Sequence, residues 1–131
     1  MGRKVLIVDD EKVMNEVMEK FMEMIGLETD SVTDGMAAWQ KIHQSPENYC
    51  IIITDLHMEG LNGLDLIRRI KENFLMPIIL LTGDITVEET ETTAIPDAVM
   101  RKPCSMQDIQ KQTMILINQY HNFPIIAQSQ A

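Results

Sequence analysis

The sequence predicts one α/β domain, a doubly wound (βα)5 unit built on a parallel five-stranded sheet. Two observations predict it. Short apolar runs end abruptly in polar chemistry: Val5-Leu6-Ile7-Val8 meets Asp9-Asp10-Glu11, Cys50-Ile51-Ile52-Ile53 meets Thr54-Asp55, and Ile78-Ile79-Leu80-Leu81 meets Thr82-Gly83-Asp84. Apolar, largely β-branched runs without alternation suit strands covered on both faces. Stretches of helical spacing separate the runs, and alternating strands and helices imply a parallel sheet. All strand C-termini of such a sheet lie along one edge. Asp9, Asp10, Asp55, Thr82 and Lys102, far apart in the chain, are therefore expected to meet there, where ligands of doubly wound folds bind.

The elements follow in order. The first strand is read at Lys4–Val8 and the first helix at Lys12–Ile25. Met14, Val17, Met18, Phe21, Met22 and Ile25 recur at helical spacing and form a core stripe, with Gly26 as C-terminal cap. A short second strand, Glu28–Val32, leads through the Asp34-Gly35 turn to a second helix at Met36–His43. Ser45–Asn48 is a loop. The third strand is the run that ends in Asp55, followed by a glycine-bearing loop, Glu59–Gly63. The third helix, Leu64–Asn73, turns Leu64, Ile67 and Ile70 inward. Pro77 opens the fourth strand. The fourth helix, Val87–Ala94, is rich in threonine and has low helix propensity; its acids Glu88, Glu89 and Glu91 read as a solvated face. Pro96 marks its exit, and the fifth strand is Asp97–Arg101. Ser105 is the expected N-cap of the fifth helix, with Asp108 in the place of a capping-box acid, and that helix runs to about Tyr120.

The chain has 131 residues, enough for one domain with a core that needs no staples. We expect a domain over residues 1–121 and a tail or linker start over 122–131. The formal net charge of −9 argues against direct contact with nucleic acid or an anionic membrane, both of which need a basic surface. No transmembrane-length run or signal peptide is read, so the expected location is cytoplasmic. Cys50 and Cys104 have neither metal-ligand nor scaffold spacing and read as reduced thiols.

The chemistry centres on Asp55. A carboxylate at the end of a buried strand is costly unless it is paired or aimed at a ligand. Three clustered carboxylates, Asp9, Asp10 and Asp55, repel one another by about 1–4 kcal/mol per pair at about 4 Å. A hard divalent cation with oxygen ligands offsets this, and Mg²⁺ is the common one. Lys102 adds an ammonium and Thr82 a hydroxyl. The set suits attack by Asp55 on a phosphoryl donor to give an acyl phosphate. Taken singly, each residue has a plainer reading: Asp9-Asp10 as a helix cap, Thr82 as a strand-end hydroxyl, Lys102 as a solvated lysine.

The pieces Val5–Glu11, Ile52–Met58, Gly60–Gly63, Leu80–Gly83 and Lys102-Pro103 stand in order at the predicted strand ends. Over roughly residues 4–120 the chain resembles a response-regulator receiver domain of two-component signalling. The resemblance implies the flavodoxin/CheY-like strand order 2-1-3-4-5. It implies Asp55 as the phosphoacceptor, charged by a histidine kinase or phosphotransfer protein. It implies Mg²⁺ held by Asp9, Asp10, Asp55 and the backbone carbonyl of His57. Thr82 and Lys102 would contact the phosphoryl group, Lys102-Pro103 would be a cis peptide, and the side chains of His57 and Asp84 would influence dephosphorylation. Such a domain is not an enzyme on other substrates; it catalyses only its own phosphoryl transfer and dephosphorylation. A second copy could dock through the fourth helix, fifth strand and fifth helix.

Three positions depart from the family pattern: Val99 where an aromatic is common, Cys104 where Phe is common, and Glu59 where Pro is common. The departures shift the expected switch from a buried aromatic to the loops after Asp55 and Thr82 and to the fourth helix. An aspartate-nucleophile phosphatase is the second reading, weakened because Asp55-Leu56-His57 lacks a second acid. A phosphate-independent scaffold is the third. A flavodoxin-like cofactor binder is disfavoured, since no glycine-rich loop follows the first strand.

Overall fold

The apolar runs are the strands of one parallel sheet, ordered β2-β1-β3-β4-β5 in the computed structural model. The strands are β1 (Lys4–Val8), β2 (Glu28–Val32), β3 (Tyr49–Asp55), β4 (Ile78–Thr82) and β5 (Ala98–Arg101). The helices are α1 (Lys12–Met24), α2 (Gly35–Gln44), α3 (Gly63–Asn73) and α4 (Met106–His121), with a 3₁₀ turn at Pro46–Asn48. Residues 4–58, 60–83 and 96–121 are described. The helix expected at Val87–Ala94 lies outside them, as do Glu59 and Asp84; α4 is the helix expected fifth.

Two-sided burial explains why the strand runs do not alternate. Leu6, Val8, Ile52, Ile78 and Leu80 pack with Ala38 and Ile42 of α2 and Leu66, Ile67 and Ile70 of α3. Val5, Ile7, Ile51, Ile53, Ile79 and Leu81 pack on the other face with Met18 and Met22 of α1 and Ile109 and Leu116 of α4. Successive strand side chains point to opposite faces, so each run feeds both layers. Each fully buried Ile or Leu contributes about 1.5–3 kcal/mol. This rigid stack fixes the C-terminal edge: Val8 pairs with Thr54, Asp55 with Leu81, and Thr82 with Arg101.

The helix ends obey local chemistry. Gly26, at φ 85, closes α1 in the left-handed conformation that glycine tolerates. Its N–H donates to the Glu23 carbonyl and that of Leu27 to Met22, a Schellman closure. Asp34 caps α2 by accepting from the Ala37 N–H at 2.7 Å, and Asn62 caps α3 by accepting from Asp65 at 2.9 Å. Ser105 Oγ accepts from the Asp108 N–H at 3.0 Å at the start of α4.

The structure corrects two details and adds a third. α3 starts at Gly63 and buries Gly63, Leu66, Ile67 and Ile70, leaving Leu64 only partly covered. The true stripe follows spacings of three and four, whereas a run of threes drifts off the face. In α1, Asn15 is buried on the side facing the sheet, alongside Met18 and Met22. Asp97 precedes β5. Its carboxylate accepts from the Ile78 N–H (2.8 Å), Lys71 Nζ (2.6 Å) and the Tyr120 hydroxyl (2.7 Å), tying α3 and α4 to the edge of the sheet remote from Asp55.

Candidate functional site

β1 and β3 lie side by side, so the acids that follow their last apolar residues converge. One carboxylate oxygen each from Asp9, Asp10 and Asp55 lies within 4.8 Å of the others. Asp9 is buried and Asp10 exposed. Asp9 Oδ1 accepts the Glu11 N–H at 2.8 Å. Glu11, not an aspartate, is the N-cap residue of α1 and makes no side-chain cap bond. The acid pair therefore faces the pocket rather than capping the helix. Asp55 ends β3, with its side chain 13% exposed. Its Oδ1 accepts the Leu56 N–H at 2.9 Å and faces Lys102 Nζ at 3.3 Å.

Lys102 reaches this position because β5 pairs with β4. Its backbone N–H donates to the Thr82 carbonyl at 2.8 Å, extending the ladder one residue past Arg101. The Lys102-Pro103 peptide is cis. Thr82 is buried at the end of β4, and His57 is exposed two residues past Asp55. Asp84 lies outside the described residues.

Two glycines let the loop after Asp55 close on the site. A Cβ on Gly63 would lie 2.4 Å from the Asp55 carbonyl oxygen, and one on Gly35 would lie 2.1 Å from that of Leu61. Both obstacles are backbone and cannot swing aside. The Gly63 N–H donates to the Leu56 carbonyl at 2.9 Å. In sequence these glycines read only as loop and turn residues, because close approach by distant backbone leaves no local pattern.

The electrostatics are those of an underneutralised acidic pocket. Among the described residues one ammonium, that of Lys102, faces the three carboxylates. Burial pushes the Asp9 carboxyl above its ordinary value; the Glu11 N–H opposes this, the Asp55 charge adds to it, Lys102 opposes and Asp10 adds. Three clustered carboxylates, with Asp9 disfavoured in its ionised form, are the oxygen donor set a hard divalent cation satisfies, so the residues present fit such an ion. Cys50 stands apart from the pocket: burial pushes its thiol up to about 11, and the thiol donates to the Lys4 carbonyl at 3.5 Å.

No helix of the described residues is long and apolar enough to cross a membrane. Residues 5–114 match the family described as the response regulator receiver domain. The chain is 26% identical over 122 residues to the transcriptional regulatory protein YrkP of Bacillus subtilis, covering 92% of this chain and 52% of that protein. It is 34% identical over 83 residues to the response regulator GtcR of Aneurinibacillus migulanus, covering 63% of this chain and 34% of that protein. The chain thus spans about half and about a third of these two relatives. Among solved structures, a Francisella response regulator receiver domain superposes with a TM-score of 0.79 at 27% identity, covering 90% of this chain and 98% of that one. A CheY-like receiver domain protein of Methanospirillum hungatei superposes with a TM-score of 0.82 at 21% identity, covering 93% and 98%, a likeness of fold. A parallel sheet of order 2-1-3-4-5, an acidic pocket at its C-terminal edge and a family match spanning residues 5–114 lead to one conclusion: the chain belongs to the response regulator receiver domain family, the receiving half of two-component signalling.

Proposed function

We propose that this chain is a phosphorylation switch in which Asp55 accepts the phosphoryl group. The observation that carries this reading is the placement of Asp55. Its Oδ1 is held by the Leu56 N–H and Lys102 Nζ, and one of its carboxylate oxygens lies within 4.8 Å of one oxygen each of Asp9 and Asp10. Among the described residues, Asp55 Oδ2 accepts no hydrogen bond and is the oxygen left open for attack. It attacks phosphorus, a P–O bond forms, and the bond from phosphorus to the donor breaks. From a histidine kinase or phosphotransfer protein the leaving group is an imidazole, which departs with the electron pair.

Asp9, Asp10, Asp55 and the His57 backbone carbonyl are the groups that would hold Mg²⁺. When bound, the ion neutralises charge on the transferring oxygens. Lys102 contributes a fixed ammonium on the opposite side, and Thr82 a hydroxyl at the end of β4. The product carries about −1.5 to −2 charge and three acceptor oxygens. Lys102 and Thr82 interact better with that group than with a bare carboxylate, and this difference biases the conformational equilibrium. Hydrolysis of the acyl phosphate by the domain itself resets the switch.

The surface that reads the change is that of β5 and α4, where a second copy could dock; the helix expected at Val87–Ala94, read as part of the same docking face, lies outside the described residues. The domain extends over residues 1–121, acts in the cytoplasm, and makes no direct contact with nucleic acid or membrane. Incubation with acetyl phosphate and Mg²⁺ is expected to add one phosphoryl group per chain, read by intact mass, and to add none in EDTA. Absence of an adduct in Mg²⁺ would sink the proposal. Asp84→Ala is expected to change the lifetime of the adduct while leaving its formation intact; an unchanged decay rate removes that role for Asp84.

A further inference from the structure

We propose that Asn15 is the positioning residue of the acidic pocket, its side-chain amide holding the Asp9 peptide so that the Asp9 carboxylate faces Asp55. This deepens the proposed function and rests on it. Asn15 is 2% exposed on α1, on a helix face otherwise made of methionines. Its Nδ2 donates to the Asp9 carbonyl at 3.0 Å and to the Val32 carbonyl at 3.1 Å. The Asp9 N–H also donates to the Val32 carbonyl, at 3.2 Å. The Asn15 backbone N–H donates to the Glu11 carbonyl at 3.1 Å, and the Glu11 N–H donates to Asp9 Oδ1. Asp9 is thus held at its N–H, its carbonyl and its carboxylate by a closed ring of bonds through Asn15, Glu11 and Val32.

The orientation of the amide is forced. Two carbonyl oxygens face Nδ2, so only the NH₂ end can occupy that place. The consequence is that Asn15 Oδ1 is buried with no hydrogen-bond partner among the described residues. A buried acceptor left unsatisfied is costly, and an apolar side chain of similar size would avoid it. Packing alone therefore does not account for an amide at this position. The two donated bonds do: they pin the first residue after β1, where the strand ends and the backbone would otherwise be free to turn the carboxylate away. Groups one step behind a metal ligand that fix its orientation typically govern metal affinity by about 10–100-fold.

The test is Mg²⁺ titration by calorimetry of the whole chain, with the wild type, Asn15→Leu and Asn15→Ser. Leu removes both donated bonds and the orphaned acceptor together; Ser keeps one donor. Asn15→Leu is expected to bind Mg²⁺ about tenfold more weakly. Its phosphorylation by acetyl phosphate should return to within about twofold of wild type at saturating Mg²⁺. Asn15→Ser should fall between the two and carries the test if the leucine variant does not fold. A purely structural role would lower the melting temperature without moving the Mg²⁺ dependence, so wild-type affinity in the folded variants overturns the proposal. Failure of the wild type itself to bind Mg²⁺ would instead overturn the reading of the pocket.

Discussion

Asp55→Asn is expected to lower the rate of phosphoryl adduct formation by at least about a thousandfold, with the fold intact. The amide keeps the size of the carboxylate and can still accept the Leu56 N–H through Oδ1. What it loses is the charge and the electron pair that attack phosphorus, and no positioning by neighbours replaces a missing nucleophile. Stability changes little by comparison. The substitution gives up the 3.3 Å pairing with Lys102 but also removes one of three carboxylates crowded within 4.8 Å. The check is intact mass over time with acetyl phosphate and Mg²⁺, beside a thermal melt. An adduct forming at the wild-type rate would mean that another side chain is the acceptor.

Asp9→Asn is expected to stabilise the metal-free protein while weakening its response to divalent cations. In the native state Asp9 holds its proton above the ordinary carboxyl value, chiefly through burial, with the charges of Asp55 and Asp10 adding. The native state therefore binds that proton more tightly than the unfolded chain does. The sign follows: stability falls as pH rises from about 4 through the raised native value, and the cost is present in full above it. Asparagine removes the cost and keeps an oxygen to accept the Glu11 N–H. Relief of about 1 kcal/mol, at the low end for like charges at this separation, raises the melting temperature by about 3–5 °C in EDTA at pH 7. The advantage should vanish below pH 4, where the wild-type acid is neutral. In Mg²⁺ the order reverses, because the wild type gains from binding and the variant, lacking a carboxylate, binds at least about tenfold more weakly. A melt in which the variant is less stable in EDTA at pH 7 would contradict the electrostatic reading of the pocket.

The fold was legible because it is written in runs and punctuation. Three apolar strand runs and the periodic helices between them imply a parallel sheet and its C-terminal edge, and the family resemblance adds the order 2-1-3-4-5. Asp9, Asp10, Asp55 and Lys102 could be brought together on paper because each ends a strand run or lies just beyond one, so topology alone sets their neighbourhood. What remained hidden depends on three-dimensional contact. Asn15 lies among the methionines of α1 with nothing in the sequence to mark it, and only the packing of α1 on the sheet aims it at the Asp9 and Val32 carbonyls. Gly63 reads as a loop glycine, yet it begins α3 and is needed because Asp55 backbone passes where a Cβ would be. Asp97 reads as the first strand residue, but its carboxylate is taken up by Lys71 and Tyr120, from positions 26 and 23 residues away. Contacts of that range leave no periodic mark.

The most direct measurement is the identity of the residue that carries the phosphoryl group. The protein is phosphorylated with acetyl phosphate and Mg²⁺, treated with borohydride, and digested for sequencing by mass spectrometry. Borohydride reduces an acyl phosphate to an alcohol, so an aspartyl phosphate is recorded as homoserine. Homoserine at position 55 alone, and none there without Mg²⁺, is the predicted result. Homoserine at position 9 or 10, or an adduct on a side chain that borohydride leaves unchanged, would contradict Asp55 as the phosphoacceptor.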